Sequence, residues 1–286
     1  MTTSGTGWWT LRPLRSRAVG VPAGGNMLDL TGRKALVMGV ANESSIAWGI
    51  AQSLAEGGAE LALSFLPDAR GRSERRVRRL ADPLGCQLYL PCDVRQDGDI
   101  AALVEALGEE WGAMDILVHS IAGARSEDLA GEFSGVSREG FSLAHEVSVY
   151  SLIAAARGAR SLMQGRDGSI VTVTYLGSQR AIPNYNVMGV AKAALESAVR
   201  YLAAELGPAG TRVNAVSPGP IETLSSSVIA GFSQILGATA ERAPLRRNVT
   251  AKQVGDAVAF LCSGLAAGIT GQVLYVDSGY HITAGM

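Results

Sequence analysis

The chain has 286 residues, 47% of them hydrophobic and 18% charged, with a formal net charge of −1. That balance excludes a disordered chain and leaves no cationic footprint for nucleic acid, and no apolar run reaches the length of a membrane span. Cys86, Cys92 and Cys262 lack metal-ligand spacing and the three histidines are scattered, so no metal site is expected and a reduced, cytoplasmic setting is.

Residues 1–26 read apart from the rest, with Arg12, Arg15 and Arg17, no Asp or Glu, and the pair Trp8-Trp9. Arg-rich, acid-poor composition is that of a transit peptide, but no apolar signal core accompanies it. The reading preferred is a disordered upstream extension, with the folded domain 27–286 starting at Met27. From Arg33 onward, short apolar runs alternate with longer amphipathic ones. Strands are predicted over 34–39, 60–65, 87–91, 115–120, 169–174, 211–217 and 272–277. Most are continuously apolar and β-branched, the pattern of strands covered on both faces. Helices are predicted over 45–56, 73–81, 97–111, 138–163, 187–206 and 251–262. This alternation implies right-handed crossovers: one α/β domain, Rossmann-like, with a doubly wound parallel sheet of seven strands and helices on both faces. Residues 219–244 break the rhythm and follow a strand end, the place for a helical substrate lid.

The chemistry-bearing residues fall at predicted strand ends. Gly39 allows a sharp turn after the first strand, and Ser45 stands at the start of the first helix, either capping it or meeting a phosphate. Asp93, at the end of the third strand, is placed to accept from an adenine amino group. Ser120-Ile121-Ala122-Gly123 is small enough for backbone to approach a ribose or nicotinamide, and Ile221-Glu222-Thr223 has backbone and hydroxyl groups for a carboxamide. Tyr185 and Lys192 are seven residues apart, which on a helix puts both on nearly one face. A Lys ammonium near a phenol is expected to lower the phenol pKa. Tyr175 lies ten residues before Tyr185 across a Gly- and Pro-containing loop.

The most specific stretches are Tyr175-Leu176-Gly177, residues 181–192 from Ala181 to Lys192, and Arg200-Tyr201-Leu202-Ala203, with Gly39, Ser45-Ile46-Ala47, His119-Ser120-Ile121, Arg246-Arg247 and Val249-Thr250 around them. On these the chain resembles the short-chain dehydrogenase/reductase superfamily and, within it, the bacterial and plastid enoyl-[acyl-carrier-protein] reductases, from about Met27 to Tyr280. Two tyrosines separate that family from ordinary short-chain dehydrogenases, whose Ser corresponds to Thr172 here.

The resemblance implies hydride transfer from NADH or NADPH to the β-carbon of a trans-2-enoyl thioester carried by acyl carrier protein or coenzyme A. It implies Tyr175, Tyr185 and Lys192 as catalytic residues. Tyr185 would donate to the developing oxyanion and Lys192 would hold the nicotinamide ribose. Gly39, Ser45, Ile46, Asp93, Val94, Ser120, Ile121, Ala122, Lys192, Ile221 and Thr223 would bind the coenzyme. Ala124, Tyr175, Tyr185, Met188 and Phe232 would meet the acyl substrate, and the helices over 138–163 and 187–206 would pair subunits into a homotetramer.

The chain departs from the family pattern at three places. Gly123 replaces a common aromatic residue, which implies a wider acyl pocket, and Glu222 stands where a basic residue is frequent. Ala230, Ser233 and Gln234 replace lid cations that meet an acidic carrier, which removes steering rather than chemistry. No acid ends the second strand, where Leu66-Pro67-Asp68 leads to Arg70 and Arg72, so NADH and NADPH stay open. The alternatives are a related reductase of specialised metabolism acting on a coenzyme A- or dedicated-carrier-bound enoyl or keto group, and a non-catalytic nucleotide-binding protein on the same fold.

Overall fold

Seven strands, β1 (Lys34–Met38), β2 (Glu60–Phe65), β3 (Leu88–Pro91), β4 (Ile116–His119), β5 (Ser169–Val173), β6 (Arg212–Pro218) and β7 (Val273–Val276), pair in parallel in the order β3-β2-β1-β4-β5-β6-β7. The computed structural model describes residues 28–223, 226 and 229–283. The proposed extension over residues 1–26, Met27, and four residues of the 219–244 segment lie outside the described residues.

Each strand feeds two cores, which is why the strands read as unbroken apolar runs. Ala35 and Val37 of β1 face one side with α1 (Ile46–Glu56), α2 (Arg72–Ala81) and α8 (Ala251–Cys262). Leu36 and Met38 face the other side with α3 (Asp97–Trp111), α5 (Ser151–Ala159) and α6 (Asn186–Leu206). Period-2 side-chain alternation thus buries both faces of the same strand.

Helices α1 and α8 touch through glycines. A Cβ on Gly255 would collide with the carbonyl oxygen of Gly49, and one on Gly49 would lie 2.5 Å from the backbone of Ala251. Only hydrogen side chains permit this approach. The start of α8 is fixed by a capping box between Thr250 and Gln253.

The predicted helix over 138–163 is not one regular helix. It begins as α4 (Arg138–His145), widens into a π turn over Glu146–Tyr150, and resumes as α5. The Ser151 hydroxyl donates to the Val147 carbonyl at 2.6 Å inside this turn. A hydroxyl entering the backbone ladder and a π turn are both recognised causes of local helix distortion. The 219–244 insertion contains α7 (Phe232–Arg242), which starts after Gly231 in the left-handed region at φ 75°.

Candidate active site

The topological switch lies between β1 and β4, which leave their shared centre in opposite directions along the sheet. Ligands in open α/β sheets bind outside the carboxyl ends of the strands at such a point. A cavity of about 600 Å³ lies there. Its walls include Gly39, Ser45 and Ile46 after β1, Asp93 and Val94 after β3, and Ser120, Ile121, Ala122 and Ala124 after β4. Tyr175, Tyr185, Met188 and Lys192 line it from β5 and α6, and Ile221, Thr223 and Phe232 from the segment after β6. The dispersed sequence positions therefore converge on one concavity.

At the β1 end the backbone fits a dinucleotide. Gly39 has φ 95°, and a Cβ there would collide with the Ser120 carbonyl oxygen. This close approach leaves open space above the turn and directs the chain into the N-terminus of α1, whose free amides favour a pyrophosphate. Ser45 is the cap: its hydroxyl donates to the Asn42 carbonyl at 2.7 Å and accepts from the Trp48 amide at 3.3 Å. Asp93 lies at the opposite rim, gripped by the Arg95 guanidinium at 2.9 and 3.1 Å. The Thr223 hydroxyl is held in a tight turn with Ser226.

The other end of the cavity is built by the loop between β5 and α6. Tyr185 occupies the capping position before α6 rather than its first turn. The two-turn face expected for Tyr185 and Lys192 is therefore made by a loop residue and a helical one. The Tyr185 ring packs on Gly177, where a Cβ would lie 2.6 Å from the ring, and Gly189 lets α6 approach the Gly177 carbonyl. Tyr175 meets Tyr185 edge-on. Asn184, at φ 58°, and Asn186 flank Tyr185 and tie it outward. Asn184 donates to the Ala230 carbonyl at 2.8 Å and Asn186 to the Gly131 carbonyl at 3.1 Å.

Lys192 is buried and donates to the Val173 carbonyl at 2.7 Å. Burial pulls its pKa down to about 8, opposed by Glu196 one turn along α6. Glu196 accepts from the Thr174 hydroxyl at 2.8 Å. The expected lowering of the tyrosine pKa is corrected by the structure. Burial, then proximity to Tyr175, pushes the Tyr185 phenol up, and burial, then Tyr280, pushes Tyr175 up to about 12. Desolvation penalises the phenolate, and the neighbouring tyrosine adds to that penalty rather than relieving it.

Behind the site, His119 is fully buried with Nδ1 3.0 Å from the Thr172 hydroxyl and Nε2 2.8 Å from that of Ser151. Burial, then Lys192, lowers its pKa to about 3, so the ring is neutral. The Ser148 hydroxyl of the π turn accepts from the Gly123 amide at 3.3 Å. A Cβ on Gly123 would come 3.0 Å from Val147. The space expected from the missing aromatic side chain is thus partly filled by Val147. Val147, Leu143, Leu129 and Ile229 all line the cavity and were not reached from sequence. Only the π turn brings Val147 inward, and a continuous apolar helix carries no sign of it.

The enoyl-(acyl carrier protein) reductase family model matches residues 39–281. The chain belongs to this family. Over 256 residues, 90% of this chain and 99% of the relative, it is 53% identical to the enoyl-[acyl-carrier-protein] reductase [NADH] of Nostoc sp.. It is 51% identical over 258 residues to the Bacillus subtilis enzyme of the same name, covering 90% of this chain and 98% of that one. The crystal structure of the Aquifex aeolicus reductase (NADH) superposes with a TM-score of 0.86 at 48% identity, covering 89% and 99% of the two chains. The Bacillus cereus reductase, solved with NADP+ and an indole naphthyridinone, also gives 0.86, at 50% identity over 89% and 98% of the chains. The family match spans every strand end that lines the cavity.

Proposed function

We propose that the protein reduces the carbon–carbon double bond of trans-2-enoyl thioesters at the expense of NADH or NADPH, with acyl carrier protein as the natural carrier and coenzyme A thioesters as simpler substrates. The observation that carries this reading is the pairing of Tyr175 with Tyr185 in one cavity with buried Lys192. Relatives named for this reaction match the chain over nearly their whole length.

Gly39, the α1 N-terminus, Asp93 and Ser120–Ala122 would hold the reduced coenzyme, which would supply a hydride for the β-carbon. The chain's own groups manage the charge that develops on the thioester oxygen. Tyr185, kept protonated by burial, donates a hydrogen bond there, where a preorganised donor in a water-poor site is worth most. Lys192 holds the ribose hydroxyls and, charged below its pKa of about 8, keeps the local potential positive. Tyr175 packs the Tyr185 ring into place. Met188, Val147 and Phe232 present apolar surface to the acyl chain.

The working form proposed is a homotetramer in the cytoplasm. Among the described residues, no helix is long and apolar enough to cross a membrane. Tyr150 and Ile153, on the π turn and α5, and Val190 and Tyr201, on α6, leave apolar surface on the helices assigned to subunit pairing.

The deciding assay follows loss of reduced coenzyme with crotonyl thioesters on carrier protein and on coenzyme A, with the saturated product identified. Consumption matched by saturated acyl product is expected. No reduction of any trans-2-enoyl thioester, together with steady turnover of a ketone or alcohol, would sink the reading.

A further inference from the structure

Three consecutive residues at the end of β5 are each fastened to α6 or its cap. The Val173 carbonyl accepts from Lys192 Nζ at 2.7 Å, the Thr174 hydroxyl donates to Glu196 Oε1 at 2.8 Å, and the Tyr175 ring meets that of Tyr185. The Thr174 amide also donates to the Val216 carbonyl at 2.8 Å, which ties the same residue to β6. Lys192, Tyr175 and Tyr185 have roles in the proposed reaction; Glu196 has none. Yet it is 6% exposed on a helix whose Leu195, Val199 and Leu202 are buried and aliphatic. An aliphatic side chain would suit that core, and a buried carboxyl costs free energy unless its surroundings offset it. A buried ionisable group beside a cleft is a mark of function.

Glu196 stands four residues after Lys192, so the two side chains are neighbours on one face of α6. They form no ion pair among the described residues, the ammonium being engaged with the Val173 carbonyl. The carboxyl acts across one turn, opposing the burial that pulls the Lys192 pKa down. The other titratable groups around the pair are neutral near pH 7. They are His119 from β4, and Tyr175, Tyr185 and Tyr275, the last from β7, whose phenols are raised chiefly by burial. Asp277 and Arg180 act on Tyr275 from its far side, Asp277 in a pair with His281. Without the carboxylate, the Lys192 ammonium would give up its proton at lower pH.

We propose that Glu196 is a positioning residue for the reaction: through Thr174 it fastens the strand end that carries Tyr175 to α6, and its charge keeps Lys192 in the ammonium form. The effect on turnover rests on the reductase reading, and the effect on coenzyme binding rests on the coenzyme site alone.

The test follows two quantities of the full chain across neutral and alkaline pH. One is the dissociation constant of the reduced coenzyme by fluorescence titration; the other is kcat with a crotonyl thioester. In the parent, affinity and kcat are expected to fall together as Lys192 loses its proton. Glu196→Gln keeps an acceptor for Thr174 but no charge, so the fall should start about one pH unit lower. Glu196→Asp keeps the charge on a shorter arm, so the fall should start where it does in the parent. Thr174→Val should lower kcat about fivefold at every pH without moving the fall, and Thr174→Ser should restore kcat. A fall at the parent's pH in Glu196→Gln overturns the proposal. So does an equal displacement in Glu196→Asp, or a kcat untouched by Thr174→Val. Should Glu196→Gln not fold, Glu196→Asp and the two Thr174 variants decide the matter. A displaced binding curve in a chain that reduces no enoyl thioester would keep the role of Glu196 at Lys192 and remove the reductase reading.

Discussion

Tyr185 lies edge-on to Tyr175, with ring centroids 4.9 Å apart and planes at 68°. Edge-to-face rings attract through opposed quadrupoles, and each shields the other from water. The arrangement makes Tyr185 a protonated donor at neutral pH rather than a base. In the proposed reaction its hydroxyl would act by hydrogen bonding to developing charge, with its ring held still by Tyr175.

Removing that donor should slow the chemistry and spare the coenzyme. For Tyr185→Phe, kcat with a crotonyl thioester is expected to fall on the order of a hundredfold, the usual cost of an oxyanion donor. Coenzyme affinity by fluorescence titration should stay near that of the parent. Tyr175→Phe keeps the ring contact and should lose much less. An unchanged kcat for Tyr185→Phe would remove the assignment of the oxyanion donor.

Asn184 links the residue before Tyr185 to the start of the lid through the Ala230 carbonyl. Asn184→Gly keeps the left-handed backbone at no steric cost and deletes only the side-chain bond. One hydrogen bond of net value about 1 kcal/mol predicts a rise in thioester KM of about fivefold. The coenzyme dissociation constant should not follow. Equal changes in both constants would show that the bond steadies the whole site instead of the lid.

His119 makes stability depend on pH. Its folded pKa of about 3 lies below the ordinary imidazole value of 6.5, chiefly because the ring is buried. Between those values the unfolded chain takes up a proton that the folded chain refuses, so stability is full above about pH 6.5 and falls as pH drops. From neutral pH to pH 5 the loss from this group is about 2 kcal/mol. Urea unfolding at the two pH values measures it. His119→Asn should flatten the slope, and a slope unchanged by that substitution would rule out His119 as its source.

The strand ends and the two-tyrosine loop were legible in the sequence because each has a local cause. Strands buried on both faces must be apolar throughout, as Ala35–Met38 are, and Gly39, Gly177 and Gly189 mark places where backbones or rings nearly touch. The resemblance then supplied roles for residues whose spacing alone leaves them ambiguous, such as Ser45, which caps α1. What was not legible depends on distant packing. The direction of the tyrosine pKa turns on burial, which Lys192 at seven residues' distance does not reveal. Val147 lines the cavity from within a π turn, a change of winding partway along the helix over 138–159 that a continuous apolar pattern does not announce.

That change of winding amounts to one residue more than a regular helix would hold. Each residue turns an α-helix by about 100°. A one-residue deletion within Glu146–Tyr150 would let the ladder close regularly, but it would rotate α4 against α5 by that angle and swing Leu143 away from the acyl end of the cavity. Chain length in this stretch is therefore as much a determinant of the pocket wall as side-chain identity. A variant with every lining residue intact and one residue fewer would present a different surface to the acyl chain.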